Sequence, residues 1–336
     1  MQPIPNHSKL KVFITGATGL LGREMTVRLL ESGYQVSALC RNPTSDRVRN
    51  FPRSADVEWI EGDIGDLLVL QNAIQEADFV IHAAALVSFD PRDRKKLYHI
   101  NVEGTSNMVN VSLLSEKLQK FIHISSVASL SPSKPMPTEI DERQGFNPDD
   151  STSDYAWSKY NAELEVVRGV EEGLKAVMVN PSIILSPGNK DESSAGLFGY
   201  VMKEKPFYPT GWINYVDVRD VVSVVMELLK RGPVNGEKFL LSAGHIPYQS
   251  FFEKIATVAG KRAPFIRSRN WMTGLAWRME FILSLFTGKK PLLTKFTAAS
   301  SSKRLIYKGK ALADFWPDFR FHTLDETIRW VLAKKE

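Results

Sequence analysis

Three side chains in this sequence could share one acid–base reaction. Ser126 closes an apolar run, and Tyr155 and Lys159 stand four residues apart. On a helix that spacing puts the tyrosine and the lysine on one face. A phenol, with a reference pKa of about 10, is a poor acid or base near neutrality, and a neighbouring ammonium favours its phenolate. Such pairs occur in many helices, and a serine pair like Ser125-Ser126 is also a common structural strand end. Their meaning comes from a second stretch, Thr15-Gly16-Ala17-Thr18-Gly19-Leu20-Leu21-Gly22. Glycine is needed where the backbone takes positive φ or touches a ligand, and a helix starting there aims unpaired N–H groups at a phosphate. The chemistry indicated is capture of a dinucleotide pyrophosphate beside a proton-transferring tyrosine.

The elements that must position these residues follow from periodicity. Lys11 to Ile14 predicts a buried strand, Arg23 to Glu31 a helix stopped by Ser32-Gly33, and Gln35 to Cys40 a second strand that completes a β-α-β unit. At the end of that strand, dinucleotide sites use an acid to hold ribose hydroxyls or an arginine to accept a 2′-phosphate. Here Cys40-Arg41-Asn42-Pro43 carries no acid, so Arg41 reads as the mark of NADP(H) in preference to NAD(H), against the simpler reading of a surface loop arginine. Val57 to Ile60 and Ala77 to Ala85 predict further strands, the latter ending in Ala83, Ala84 and Ala85, small enough to let the backbone approach a cofactor. A helix is expected from about Asp93 to Leu118, a strand from Lys120 to Ser126, a helix from Asp154 capped by Ser151 or Thr152, and strands at Ala176 to Asn180 and Glu237 to Ser242. His82 reads as a satisfied strand-end histidine, and the other five histidines are equally isolated. With one cysteine, no metal-ligand spacing emerges and no metal is expected.

The glycine spacing, Ser126 and Tyr155-x-x-x-Lys159 together resemble the extended short-chain dehydrogenases/reductases, the NAD-dependent epimerase/dehydratase family, nearest the dihydroflavonol-reductase and 3β-hydroxysteroid-dehydrogenase branches. The resemblance is carried over residues 11 to 245 and is only general beyond. It implies that Tyr155 exchanges a proton with the substrate oxygen, that Ser126 hydrogen-bonds that oxygen, and that Lys159 also grips the nicotinamide ribose while hydride moves at the nicotinamide. Gly16, Thr18, Gly19, Leu20, Leu21 and Gly22 would then hold the pyrophosphate. Asp63 and Ile64, in Glu61-Gly62-Asp63-Ile64, match the family's adenine-side turn. Asn101, in Asn101-Val102-Glu103-Gly104-Thr105, matches an asparagine that supports a proton relay or the cofactor side. Pro181, Ser182, Ile183 and Ile184 match the segment lining the nicotinamide pocket, although Ser186 stands where glycine is usual. Tyr215 to Val222 resembles the segment by which such chains rejoin the nucleotide domain.

The expected fold is α/β, a Rossmann-type doubly wound parallel sheet with a smaller, mainly helical C-terminal substrate domain. Residues 1–180 would form the NADP-binding domain, to which the chain returns at 214–243. Residues 181–213 and 244–336 would form the substrate domain, with an amphipathic helix at 270–286 capping the pocket. At 336 residues, 43% hydrophobic and 24% charged, the chain has the composition of a soluble globular enzyme. Its net charge of +5 is scattered rather than gathered into an aromatic-interleaved stripe, which argues against nucleic acid. No uncharged run long enough for a membrane span and no apolar leader at Met1 to Leu10 are found, and the lone Cys40 suits a reducing compartment, so the cytoplasm is expected. Dimerisation through the helices beginning near Asp93 and Ser153 is implied by the resemblance.

Leu86 to Phe89 and Gly196 to Trp212, with Leu197, Phe198, Tyr200, Phe207, Tyr208 and Trp212, predict an apolar substrate pocket. Lys203 and Lys205 are the nearest cations, and no arginine precedes the Tyr215 turn. The function read from this is NADP(H)-dependent hydride transfer between nicotinamide and a small, largely apolar ketone or secondary alcohol. A nucleotide-sugar epimerase or dehydratase remains the alternative, and a catalytically silent NADP-binding regulatory protein a further one.

Overall fold

Strands rich in Val, Ile and Phe that are buried on both faces require helices on both sides, which is the condition for a parallel sheet. The computed structural model describes residues 10–130, 139–147, 153–188, 194–232, 234–268, 272, 277–278 and 295–334. Its first unit is β1 (Lys11–Thr15), α1 (Leu20–Glu31) and β2 (Gln35–Cys40), followed by β3 (Val57–Glu61), α2 (Leu67–Gln75) and β4 (Phe79–His82). Next come α3 (Gly104–Leu113), β5 (Lys120–Ile124), α4 (Asp154–Glu171) and β6 (Ala176–Pro181). Beyond them lie β7 (Ile183–Leu185), α5 (Ala195–Met202), β8 (Trp212–Asp217), α6 (Val218–Lys230), β9 (Lys238–Leu241), β10 (Gly244–Pro247), α7 (Tyr248–Ala259) and α8 (Leu324–Ala333).

Seven strands form one sheet in the order β9-β6-β5-β4-β1-β2-β3, every neighbouring pair parallel. Alternation along β1 sorts the core into two layers. Val12 and Ile14 pack with Met25 and Leu29 of α1 and Val221 and Val225 of α6, while Phe13 faces Leu70 and Ile74 of α2, Met108 of α3 and Val166 of α4. The chain leaves β1 toward β2 and returns on the other side to β4. The carboxyl ends of β1 and β4 therefore flank the crevice where doubly wound sheets bind ligands.

A second sheet, β10-β8-β7, pairs β8 antiparallel to β10 and parallel to β7. It backs a separate apolar cluster of Leu185, Phe198, Ile213, Phe251, Ile255 and Ile328. The two parts are tied by buried acids at the start of α6. Asp217 caps α6, pairs with Arg219 and accepts from Thr327 Oγ1 at 2.8 Å, and Asp220 accepts from the backbone and ring of His322. Among the described residues no helix is long and apolar enough to cross a membrane.

Several expected elements differ. The helix expected from 93 to 118 is broken into Arg94–Leu97, a π-helical turn Tyr98–Glu103 and α3, which ends at Leu113. The strand expected from Ala77 to Ala85 stops at His82, because the alanines leave the ladder to pass close to Gly16. The cap of α4 is Ser153, whose hydroxyl accepts from Ala156 N at 3.2 Å, and the expected caps Ser151 and Thr152 fall outside the described residues. The region after Gly244 also contains β10 and short strands at Ile266–Arg267 and Ile306–Tyr307, which pair with Phe207–Tyr208 and Glu139–Ile140. Of the helix expected at 270–286, all but residues 272, 277 and 278 lies outside the described residues.

Candidate active site

The turn from β1 into α1 is shaped by contacts that exclude side chains. Gly16 has φ +75, and a Cβ there would stand 2.7 Å from Ala83 C and O and from Ala84 N. A Cβ on Gly22 would stand 2.1 Å from Gly16 O. Gly19 N donates to Gly16 O at 3.0 Å, and Gly19 enters α1 without a side-chain cap hydrogen bond. The first turn of a twelve-residue helix therefore offers its N–H groups to the crevice, with the helix dipole behind them. The local backbone fits a pyrophosphate at this point.

On the β4–β5 side, Ser126, Tyr155 and Lys159 come together. The last residue of β5, Ile124, accepts a 2.9 Å hydrogen bond from Lys159 Nζ through its carbonyl oxygen. Two residues later Ser126 caps a 3-10 turn, its Oγ accepting from Ala128 N at 3.1 Å. Tyr155 is buried, and burial pushes its phenol above the ordinary value while a hydrogen bond with Ser126 opposes the shift. The direction is opposite to the lowering expected of a neighbouring ammonium: removal from water sets it, and the cause that opposes it is the Ser126 hydrogen bond, while Lys159 Nζ is turned to Ile124 O. Burial also lowers Lys159 to about 8, with the Glu163 carboxylate acting against it.

Residues 12–241 match the profile of the NAD-dependent epimerase/dehydratase family. The chain belongs to this family. It is an NAD(P)-dependent oxidoreductase of the extended short-chain dehydrogenase type. It is 29% identical over 302 residues to a Synechocystis sp. protein provisionally named dihydroflavonol 4-reductase, covering 88% of this chain and 86% of that one. It is 26% identical over 304 residues to the Dictyostelium discoideum sterol-4-alpha-carboxylate 3-dehydrogenase, decarboxylating, covering 87% and 90%. The crystal structure of gox2253 superposes with a TM-score of 0.79 at 28% identity, covering 97% of each chain.

Beyond β1 in the sheet, β2 and β3 form the outer side of the crevice. There Arg41 is exposed. Glu61, at the end of β3, is the register partner of Cys40. Asp63 is exposed, and its Oδ1 accepts from Gly65 N at 3.1 Å in a tight turn. Ile64 is buried against Gly104, where a Cβ would stand 2.8 Å from Ile64 Cγ1. At the inner end, Ser182 is buried with its hydroxyl unpartnered, while Ile183 is 36% exposed.

Asn101 sits in the π-helical turn, a distortion often found at functional sites. Its amide is fully engaged: Oδ1 accepts from Leu86 N at 2.7 Å, and Nδ2 donates to Leu86 O at 3.0 Å and to Ser158 Oγ at 2.8 Å. It therefore ties the loop after β4 to the helix carrying Tyr155 and Lys159. His82 is fully buried and satisfied. Thr105 Oγ1 donates to Asn101 O at 2.6 Å, so it accepts from His82 Nε2 at 3.0 Å, and His82 Nδ1 accepts from Thr15 Oγ1 at 2.8 Å. Burial, helped by the charge of Lys159, pushes His82 down to about 3, which keeps it neutral.

Glu163 and Phe296 were not singled out in the sequence, whereas Phe89 belongs to the expected pocket lining. Glu163, one turn beyond Lys159, is a buried carboxylate with partners on four other segments. The only signal for it is the continued spacing Tyr155, Lys159, Glu163. Phe89 packs edge-on to Tyr155 at 5.5 Å between ring centroids and stacks on Phe296 at 5.1 Å. Part of the expected pocket lining is displaced in turn. Phe198 belongs to the cluster behind the second sheet, Tyr200 and Tyr208 pack against that cluster, and Trp212 stacks on His245. The aromatic contact at Tyr155 thus comes from Phe89, with Phe296 stacked behind it.

Proposed function

We propose that this chain is an NADP(H)-dependent reductase or dehydrogenase of a small, largely apolar ketone or secondary alcohol. The observation that carries this reading is the buried Tyr155 hydroxyl, hydrogen-bonded to Ser126, on a ring that meets Phe89 with Phe296 stacked behind it. An apolar pocket with a few placed polar groups favours an uncharged cyclic or aromatic ketone. Tyr155 donates the proton to the substrate oxygen, Ser126 orients that oxygen, and Lys159 brings a positive charge to the phenolate left behind. Bound nicotinamide dinucleotide supplies the hydride. Gly16, Thr18, Gly19, Leu20, Leu21 and Gly22 would hold its pyrophosphate, Asp63 and Ile64 its adenine, and Ala83 to Ala85 and Pro181 to Ile184 its nicotinamide end. The unpartnered Ser182 hydroxyl supports the last of these, since a buried hydroxyl without a partner is costly.

Arg41, exposed at the end of a β2 that bears no acid, supports NADP(H) over NAD(H). Glu61 beside it makes the charge of Arg41 the deciding feature. The exposed Tyr98, Trp157 and Leu164, on the turn before α3 and on α4, support a homodimer formed through these helices. The buried free Cys40 supports a cytoplasmic location. Residues 1–180 with 214–243 serve the cofactor in this reading, and 181–213 with 244–336 the substrate.

One observation favours the nucleotide-sugar alternative. Arg304 lies 4.4 Å over the ring of Trp212, bringing to the start of β8 the cation that the local sequence lacks. The test is to follow NADPH oxidation with a panel of cyclic and aromatic ketones and to titrate UDP and UDP-glucose by calorimetry. Turnover of a hydrophobic ketone with no better than millimolar UDP binding is expected, and micromolar UDP binding would overturn the reading.

A further inference from the structure

One side chain near the site is enclosed by polar partners yet belongs to neither the glycine turn nor the Ser126, Tyr155 and Lys159 set. Glu163 is 1% exposed. Its Oε1 accepts from Ser125 Oγ, Ser129 Oγ and Asn180 Nδ2, each at 2.5 Å, and its Oε2 pairs with Lys238 Nζ at 2.7 Å. The donors come from the end of β5, the 3-10 turn, β6 and β9. Ser125 and Ser129 bracket Ser126. Asn180 Nδ2 also donates to Ser126 O at 3.2 Å and to Ser129 Oγ at 3.0 Å. One carboxylate oxygen therefore gathers the segment that presents the Ser126 hydroxyl.

We propose that Glu163 is the positioning residue of this site, setting Ser126 through its neighbours and serving as the buried counter-charge of Lys159. The inference rests on the roles proposed above for Ser126 and Lys159. Tyr155, Lys159 and Glu163 recur at four-residue intervals on α4 and so share one face. Among the described residues, the other titratable groups facing Lys159 offer it no negative charge. His82 on β4 and His123 on β5 are both buried, and burial holds both neutral at ordinary pH. Asn101, Ser158 and Asn180 are uncharged, and Lys238 reaches the cluster as a competing cation on Glu163. Removing Glu163 leaves Lys159 with the desolvation that lowers it and without the carboxylate that raises it. The ammonium would then be lost at a pH lower than about 8.

The sign of this effect separates an electrostatic role from mere packing. The lysine side chains of the cofactor-free protein would be labelled with ¹³C, the Lys159 signal assigned by its absence in Lys159→Met, and its pH titration followed by NMR. In wild type the midpoint should lie near 8. In Glu163→Gln it should fall by roughly one pH unit or more, the scale of one nearby opposite charge. In Lys238→Gln, which keeps the carboxylate and removes its competing cation, it should rise. Glu163→Asp should keep the wild-type midpoint yet lose turnover of a probe ketone with NADPH by about tenfold or more, because the shortened side chain releases the turn from Ser125 to Ser129. An unmoved midpoint in Glu163→Gln, or midpoints of Glu163→Gln and Lys238→Gln that move in the same direction, would overturn the proposal. If Glu163→Gln does not fold, the direction in Lys238→Gln decides. Loss of the acid–base reading itself would show separately, as turnover retained by Tyr155→Phe, and the titrations stand apart from that outcome.

Discussion

At the turn between β1 and α1 the neighbours of Gly16 and Gly22 are backbone atoms, whereas beside Tyr155 stands a side chain from a distant segment, Phe89, itself backed by Phe296. A backbone contact admits one residue type and no rotamer can relieve it. A side-chain wall can be repacked with many residues of similar volume. The two ends of one crevice therefore differ in how substitution should be felt. Change at the glycine turn threatens the fold and the cofactor together. Change at the aromatic wall should alter which molecule is accepted and leave the rest standing.

The largest effect should come from Gly22→Ala. Its Cβ would lie 2.1 Å from a backbone oxygen, so α1 must shift away from the turn. A stability loss above about 4 kcal/mol is expected, in the range reserved for mutations with a specific steric cause. Thermal melting and NADPH titration read it, and a stable variant that binds NADPH like wild type would erase the contrast between the two ends. Next in size is Tyr155→Phe, which removes only a hydroxyl. General acid–base catalysis is worth about a hundred- to ten-thousand-fold, so turnover should fall by that factor while NADPH binding stays close to wild type. Equal losses in both would mean that Tyr155 holds the cofactor more than it moves a proton.

The contrast also explains what could be read in advance. The glycine turn, the parallel strands and the Tyr155–Lys159 face were legible because each follows from short-range rules: positive φ, burial on two faces, and helical spacing. Glu163 was not. An acid on a helix is ordinarily exposed, and its partners are 38, 34, 17 and 75 residues away in the chain. Phe198 and Tyr200 misled for the converse reason. Their aromatic character marks burial, but only the packing of α5 against α7 decides that they serve the cluster behind the second sheet rather than the pocket. The break in the helix before α3 was equally hidden, since nothing in Tyr98 to Glu103 forbids an ordinary α-helix.

A smaller effect tests the outer end of the crevice. If Arg41 meets a 2′-phosphate in a charge-assisted contact, Arg41→Ala should weaken NADPH by about 1.5–3 kcal/mol and leave NADH almost unchanged. Glu61, beside the end of β2, should then repel the phosphate unopposed and push the loss toward the upper figure. Titrating both cofactors into both proteins decides this, and a wild type that prefers NADH would reverse the assignment.

The smallest expected effect lies on the substrate side, at Phe296. Its ring stacks on Phe89, which in turn meets Tyr155 edge-on, so it touches the reacting group only through an intermediary. An aromatic pair is worth about 0.5–1.5 kcal/mol beyond the area it buries. Phe296→Ala should therefore raise KM for a hydrophobic ketone by roughly two- to tenfold, the same energy expressed as a ratio. The kcat should change little, because Ser126, Tyr155 and Lys159 keep their partners, and NADPH affinity should not change at all. Replacement by leucine should restore most of the loss, since an apolar wall needs volume more than a ring. A large fall in kcat with KM unchanged would mean that Phe296 fixes the orientation of Tyr155 through Phe89. The substrate end would then be as intolerant of change as the glycine turn, and the difference between the two ends would disappear.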